Sequence, residues 1–163
     1  MAVELYRIDD RFIHGQVIVG WGQPMRLGFI VLVDDEVAAS EWEQELYAMA
    51  VPPEVELIFS TVEDAIRRLP AWALDARPGM LLTGDVDTMR RLTEGTPNIR
   101  DVNVGGIHHR AGRVQRLRYV FLSPEEERAL LSMEERGVRV TARDVPSARA
   151  IPLGILLSGE GTE

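Results

Sequence analysis

Residues 28–33, Gly-Phe-Ile-Val-Leu-Val, are apolar at consecutive positions rather than at alternate ones. A strand with one wetted face has to alternate. A strand without alternation is buried on both faces, as happens when helices cover both sides of a mainly parallel sheet. Short apolar runs and amphipathic segments alternate along the rest of the chain, which is the pattern of that architecture. Further strands are predicted at 3–8, 55–59, 79–83, 101–104 and 138–142. The spacing predicts a short helix from 16 to 21 that Gly22 and Pro24 end, and a longer one from 38 to 50. In the latter, Ala38, Trp42, Leu46, Met49 and Ala50 recur at helical intervals before Pro52-Pro53. Ser60-Thr61-Val62-Glu63 offers a capping box for a helix through Leu69, after which 70–78 reads as a loop with Trp72 folded back onto the core. Asp85 caps a helix that Gly95 closes, and Ser123-Pro124-Glu125-Glu126 opens one that Gly137 closes. After a turn at Gly112, residues 114–122 alternate and suit an antiparallel edge or hairpin. Residues 151–157 suit a final docking helix. The expected fold is α/β: a single doubly wound, mainly parallel sheet with helices on both faces and an antiparallel edge strand. One domain spans 1–163, with 158–163 as a frayed acidic tail.

A length of 163 residues suits one such domain, and 45% hydrophobic with 27% charged residues suits a globular one. No apolar run reaches the roughly 18–20 residues that a membrane-spanning helix needs. The first residues lack a basic start and an apolar centre, so a signal peptide is not expected and the cytoplasm is the default. The absence of cysteine excludes disulfides and thiolate metal sites. A net charge of −8 argues against a general nucleic-acid binder. All 18 basic residues are arginine, which removes Schiff-base chemistry and the phosphate lysine of a Walker loop.

Chemistry concentrates in residues 5–17, Leu-Tyr-Arg-Ile-Asp-Asp-Arg-Phe-Ile-His-Gly-Gln-Val. An extended lead-in stops at Asp9-Asp10, two arginines and a histidine follow within a few residues, and apolar residues resume at Val17. This reads as strand, polar loop and helix start at the carboxyl end of a strand, where α/β proteins bind ligands and where helix ends bind anions. His14 is the candidate nucleophile, because neutral imidazole takes a phosphoryl group on a ring nitrogen. Arg7 and Arg11 are candidate donors of planar, charge-assisted hydrogen bonds to that group. Gly15, Gln16 and Asp10 are the remaining candidates for holding phosphate. Asp9-Asp10 also suits a carboxylate that orients an arginine or caps the loop. Asp34-Asp35-Glu36 reads as a strand end followed by a helix cap, and no metal is assigned. His108 and His109, adjacent in an extended segment, point to opposite faces and are poorly placed to share a metal. Gly105-Gly106 suits equally a close backbone approach to phosphate and a simple turn. Arg110, Arg113, Arg116 and Arg118 read as a solvated basic hairpin or as a dock for an acidic partner.

Residues 7–17 resemble the phosphorylation loop of the mannose/fructose/sorbose-type IIB component of the bacterial phosphotransferase system. Residues 33–38, 49–53, 61–65, 103–106 and 144–146 resemble further IIB segments in the expected order. Two positions depart from the pattern: 82–85 lacks a basic residue, and His109 stands where an aromatic residue is expected. The resemblance implies a protein-Nπ-phosphohistidine–sugar phosphotransferase. In such a protein His14 accepts phosphate at Nδ1 from a IIA component and passes it to a sugar held by membrane components IIC and IID. No cofactor is expected, since the phosphoryl group is itself the cargo, and peripheral association with the membrane components is implied. The alternative is a regulatory phospho-acceptor with the same fold and no sugar phosphotransfer. A further alternative is an acid–base enzyme using His14 with Asp9 or Asp10.

Overall fold

The computed structural model describes residues 2–159. The remaining residues of the expected acidic tail, 160–163, lie outside the described residues. Strands β1 (Ala2–Ile8), β2 (Phe29–Val33), β3 (Glu56–Ser60), β4 (Pro78–Thr83) and β5 (Asp101–Val104) precede a small hairpin of β6 (Val114–Leu117) and β7 (Val120–Leu122). Strands β8 (Arg139–Ala142) and β9 (Ile151–Pro152) follow. Seven of them form one sheet in the order β3-β2-β4-β1-β5-β8-β9. Every pairing in it is parallel except that of β8 with β9. The central strand is therefore β1, with β4 on one side and β5 on the other.

Alternate residues of the buried strands feed two cores. Phe29, Val31 and Val33 of β2 and Leu81 of β4 face α4 (Val62–Ala73), α5 (Val86–Gly95), α6 (Pro124–Glu135) and α7 (Leu153–Ser158). Ile30, Leu32, Met80 and Leu82 face the opposite way. There they meet Phe12, Ile13, Val17, Trp21 and Leu27, together with Val37 of α2 (Asp35–Ala38). Helices thus cover both faces, as the unbroken apolar run of β2 requires. Most caps lie where the sequence places them, but α4 is capped by Thr61, whose hydroxyl accepts from the Asp64 N–H at 3.1 Å, rather than by Ser60. Asp85 accepts from the Thr88 N–H at 2.7 Å, and Ser123 and Glu126 form a reciprocal capping box.

Several boundaries fall elsewhere than the periodicity suggests. The antiparallel edge is β9, a two-residue strand, while 114–122 forms a separate hairpin. Residues 151–157 accordingly divide between that strand and α7. Gly22 and Pro24 do not end the first helix. A π-helical turn (Gln16–Trp21) runs directly into α1 (Gly22–Met25), and the chain leaves it at Arg26, with φ at +54°. Pro24 lies in the first turn of α1, where its missing N–H costs little. Residues 38–50 are not one helix. Ser40 takes an extended conformation and its hydroxyl accepts from the Glu43 N–H, so α2 stops and α3 (Glu41–Met49) begins. Helix α4 runs through Pro70 to Ala73, because Trp72 continues the buried stripe of Ala65 and Leu69. Burying that indole outweighs the hydrogen bond Pro70 cannot donate.

Candidate functional site

The carboxyl end of β1 is pinned on both sides before the chain turns. The Asp9 N–H donates to the Thr83 carbonyl at the end of β4, and the Asp10 N–H to the Gly106 carbonyl beyond β5, both at 2.9 Å. The Asp9 carboxylate then folds the loop over itself, accepting from the Arg11 N–H at 3.1 Å while the Asp9 carbonyl accepts from the Phe12 N–H at 3.0 Å. Phe12 closes this turn at φ +56°, a left-handed conformation that costs a non-glycine residue free energy. Its ring compensates by burial against Gly84 and by an edge-to-face contact with Tyr47 of α3 at 5.6 Å between centroids. A Cβ on Gly84 would stand 2.5 Å from that ring, which explains the glycine.

His14 follows, partly buried, with Nε2 2.9 Å from Asp9 Oδ2. Facing an ionised carboxylate, Nε2 carries the ring proton and Nδ1 keeps the lone pair. Asp9 is itself held by Arg7, whose Nη2 lies 3.1 Å from the same Oδ2. Burial by itself would raise the Asp9 carboxyl, but the His14 hydrogen bond and the Arg7 charge outweigh it and hold Asp9 below the usual aspartate range. Burial likewise pulls the Arg7 guanidinium downward, opposed by Asp9.

Arg7 is fully buried, and its terminal donors are all engaged. Nη1 donates to Asn103 Oδ1 at 2.5 Å and to the Arg143 carbonyl at 2.9 Å. Nη2 donates to Asp9 and to the Asp144 carbonyl at 3.2 Å. The guanidinium lies over the Trp21 ring at 5.2 Å, and a Cβ on Gly105 would fall 2.4 Å from it. Gly105 therefore makes room for an arginine. Only Arg7 Nε is buried without a hydrogen bond among the described residues. Asn103, Trp21 and the carbonyls after β8 were not candidates from sequence. A polar residue in the apolar strand 101–104 was the one available signal.

The structure redirects two of the expected phosphate-holding residues. Arg7 positions Asp9 rather than facing the open side of His14. Asp10 is turned away: its carboxylate accepts from the His108 N–H and lies 2.7 Å from His108 Nδ1. Arg11 is different. It is exposed, and its side chain makes no hydrogen bond or ion pair with any described residue. Gly15 and Gln16 are exposed at the start of the π-helical turn, with open space where a Gly15 Cβ would stand.

The other candidates have structural occupations. Asp34 caps α2, and Asp35 accepts from the Val62 N–H and pairs with Arg91. His109 stands edge-on to Phe121 at 5.6 Å. Arg113 and Arg116 pair with Glu126 and Glu127 of α6.

The fold and this loop define an α/β protein that presents an imidazole, oriented by a buried carboxylate, and an exposed guanidinium on the same loop at the carboxyl end of its central strand. The family model for the sorbose subfamily IIB component of the phosphotransferase system matches residues 3–163, and the chain belongs to that family. It is 34% identical over 160 residues to the mannose-specific EIIAB component of Escherichia coli K12, covering 97% of this chain and 49% of that protein. The chain thus spans about half the length of that curated relative. It is also 34% identical over 145 residues to the N-acetylgalactosamine-specific phosphotransferase enzyme IIB component 1 of the same organism, covering 87% of this chain and 90% of that one. The crystal structure of manxB from Thermoanaerobacter tengcongensis superposes with a TM-score of 0.85 at 31% identity, covering 96% of this chain and 95% of that one. No helix among the described residues is long and apolar enough to cross a membrane.

Proposed function

We propose that this chain is the phosphoryl carrier of a sugar phosphotransferase system. His14 accepts a phosphoryl group from a IIA phosphoprotein in the cytoplasm and passes it to a sugar bound by membrane components IIC and IID. The observation that carries this reading is the Asp9–His14 hydrogen bond, which leaves Nδ1 as the nucleophilic nitrogen. In the accepting step the P–N bond of the donor phosphohistidine breaks as a bond from phosphorus to His14 Nδ1 forms. The Nε2 proton stays shared with Asp9, which stabilises the positive ring as the bond forms. Arg11 supplies a guanidinium whose donors are not engaged by any described residue, suited to the phosphoryl oxygens. The Gly15 and Gln16 N–H groups, at the positive end of the helical turn, suit the same oxygens. In the onward step the bond from phosphorus to His14 Nδ1 breaks, its electron pair returning to the ring, as a bond from phosphorus to a sugar hydroxyl oxygen forms and the hydroxyl proton passes to solvent.

Incubation with phosphoenolpyruvate, the general phosphotransferase proteins and a cognate IIA tests the reading by intact mass. The chain is expected to gain one phosphoryl group that survives alkali and is lost in mild acid, as a P–N bond is. His14→Ala is expected to abolish it, whereas the double variant His108→Ala, His109→Ala is expected to retain it. Ordinary stoichiometry in His14→Ala would refute the assignment.

A further inference from the structure

Helix α3 buries none of its residues. Trp42, Leu46 and Met49, spaced to form one stripe, are 69%, 49% and 83% exposed. Isolated exposed apolar residues need no explanation, but a stripe of three large ones on one helix marks a surface that something else covers. The same helix is joined to the site: Tyr47 on its inner side packs on Phe12, two residues before His14.

The charge around the stripe is one-sided. Residues 34–56 hold eight of the chain's 26 acidic residues and none of its 18 basic ones, so the rest of the chain is neutral and the net charge of −8 belongs to this stretch. Asp34 caps α2, while Asp35 and Glu56 pair with arginines. Glu36, Glu41, Glu43, Glu45 and Glu54 make no ion pair with any described residue. The surface is thus an apolar stripe inside an uncompensated carboxylate rim. A second copy of the chain would bring the same charge against it. A bare anionic lipid surface would be repelled as well. The cytoplasmic loops of integral membrane proteins carry an excess of lysine and arginine, which is the complementary charge.

We infer that this face of α3 docks the basic cytoplasmic loops of the membrane component that receives the phosphoryl group; the inference rests on the carrier reading above. Apolar contact through Trp42, Leu46 and Met49 supplies the central anchor, and the glutamates supply steering and orientation. Tyr47 of the same helix packs on the Phe12 turn, so a partner seated on α3 rests on the element next to the His14 loop, leaving the phosphoryl donor to approach from elsewhere.

The test uses inverted membrane vesicles carrying the cognate membrane components, with vesicles of the same lipids lacking them as control. Trp21 and Trp72 are each 5% exposed, so Trp42 is the tryptophan whose emission reports docking. A blue shift and protection from a soluble quencher are expected with the loaded vesicles alone, weakening as salt rises. The pair Trp42→Gln, Met49→Gln, on a solvent face, should leave folding intact. Its co-sedimentation with loaded vesicles, and the sugar phosphorylation they support, should fall about tenfold or more, while His14 phosphorylation by IIA changes less than about twofold. Glu41→Gln, Glu43→Gln, Glu45→Gln together should weaken co-sedimentation and flatten its salt dependence. An equal fall in the IIA step would assign the face to the donor and overturn the inference. Unchanged co-sedimentation would overturn it too, as would a wild-type dimer in sedimentation that the pair variant dissolves. Failure of the carrier reading shows separately, as absence of His14 phosphorylation in the wild type, because the binding arms need no phosphate.

Discussion

In the proposed carrier role His14 acts through a ring oriented by a carboxylate held in place, and that makes its neighbours separable by experiment. Arg11 is exposed with its side-chain donors open, whereas Arg7 is buried with each terminal donor bonded. Arg11→Lys should therefore leave the unfolding free energy from urea titration within about 0.5 kcal/mol of wild type while slowing phosphotransfer markedly, since an ammonium cannot reproduce the guanidinium fork. Near-normal single-turnover rates would remove Arg11 from the site. Asp9 gives a pH signature. Its folded carboxyl lies below its unfolded value, so in the acid range the unfolded chain binds the extra proton. The stabilisation is full above the unfolded value of about 4 and is lost as pH falls through the lower folded value. Denaturation midpoints below about pH 4 should fall less steeply in Asp9→Asn than in the wild type.

At the scale of elements, the strand ends do more than stop. Gly84 seats Phe12 and Gly105 seats Arg7, so two β-strands end in glycines whose missing side chains are occupied by residues of the first loop. Gly105→Ala places a carbon 2.4 Å from a guanidinium that cannot retreat, because Asn103 and Asp9 fix it. A loss of about 1–3 kcal/mol is expected, with impaired phosphotransfer. At Gly106 the nearest atoms to an added Cβ are 3.8 Å away, so Gly106→Ala should be nearly neutral. Urea titration of the pair checks the contrast. Equal losses would show that the glycines serve the turn and not the arginine.

Across the whole molecule, Arg7 is the tie. From β1 it reaches Asn103 on β5, the carbonyls of Arg143 and Asp144 after β8, and the indole of Trp21, which itself donates to the Asp144 carbonyl at 2.8 Å. Three strands and the first helical segment thus converge on one buried cation. Arg7→Met should cost about 3–5 kcal/mol, because Asp9 is left buried without its counter-charge. Combining it with Asp9→Asn should cost less than the two losses added, since the pair shares one interaction. Strict additivity in that cycle would separate the two residues.

The sequence by itself determined the sheet, most of the caps and the loop. Burial on both faces forces an unbroken apolar run, and caps and glycine stops act over three or four residues, so both are written locally. The place of His14 in a loop at a strand's carboxyl end was legible for the same reason, since a strand end, an arginine and a helix start lie within a dozen residues. Element breaks governed by competition were not: Ser40 split a helix that apolar spacing joined, and Trp72 carried α4 past a proline. The partition of the arginines was decided only by tertiary structure. Arg7 and Arg11 are equivalent in the sequence. The register that sets Arg7 opposite Asn103, and the glycine beyond it, buries one guanidinium as a support for Asp9 and leaves the other exposed on the loop that carries the histidine.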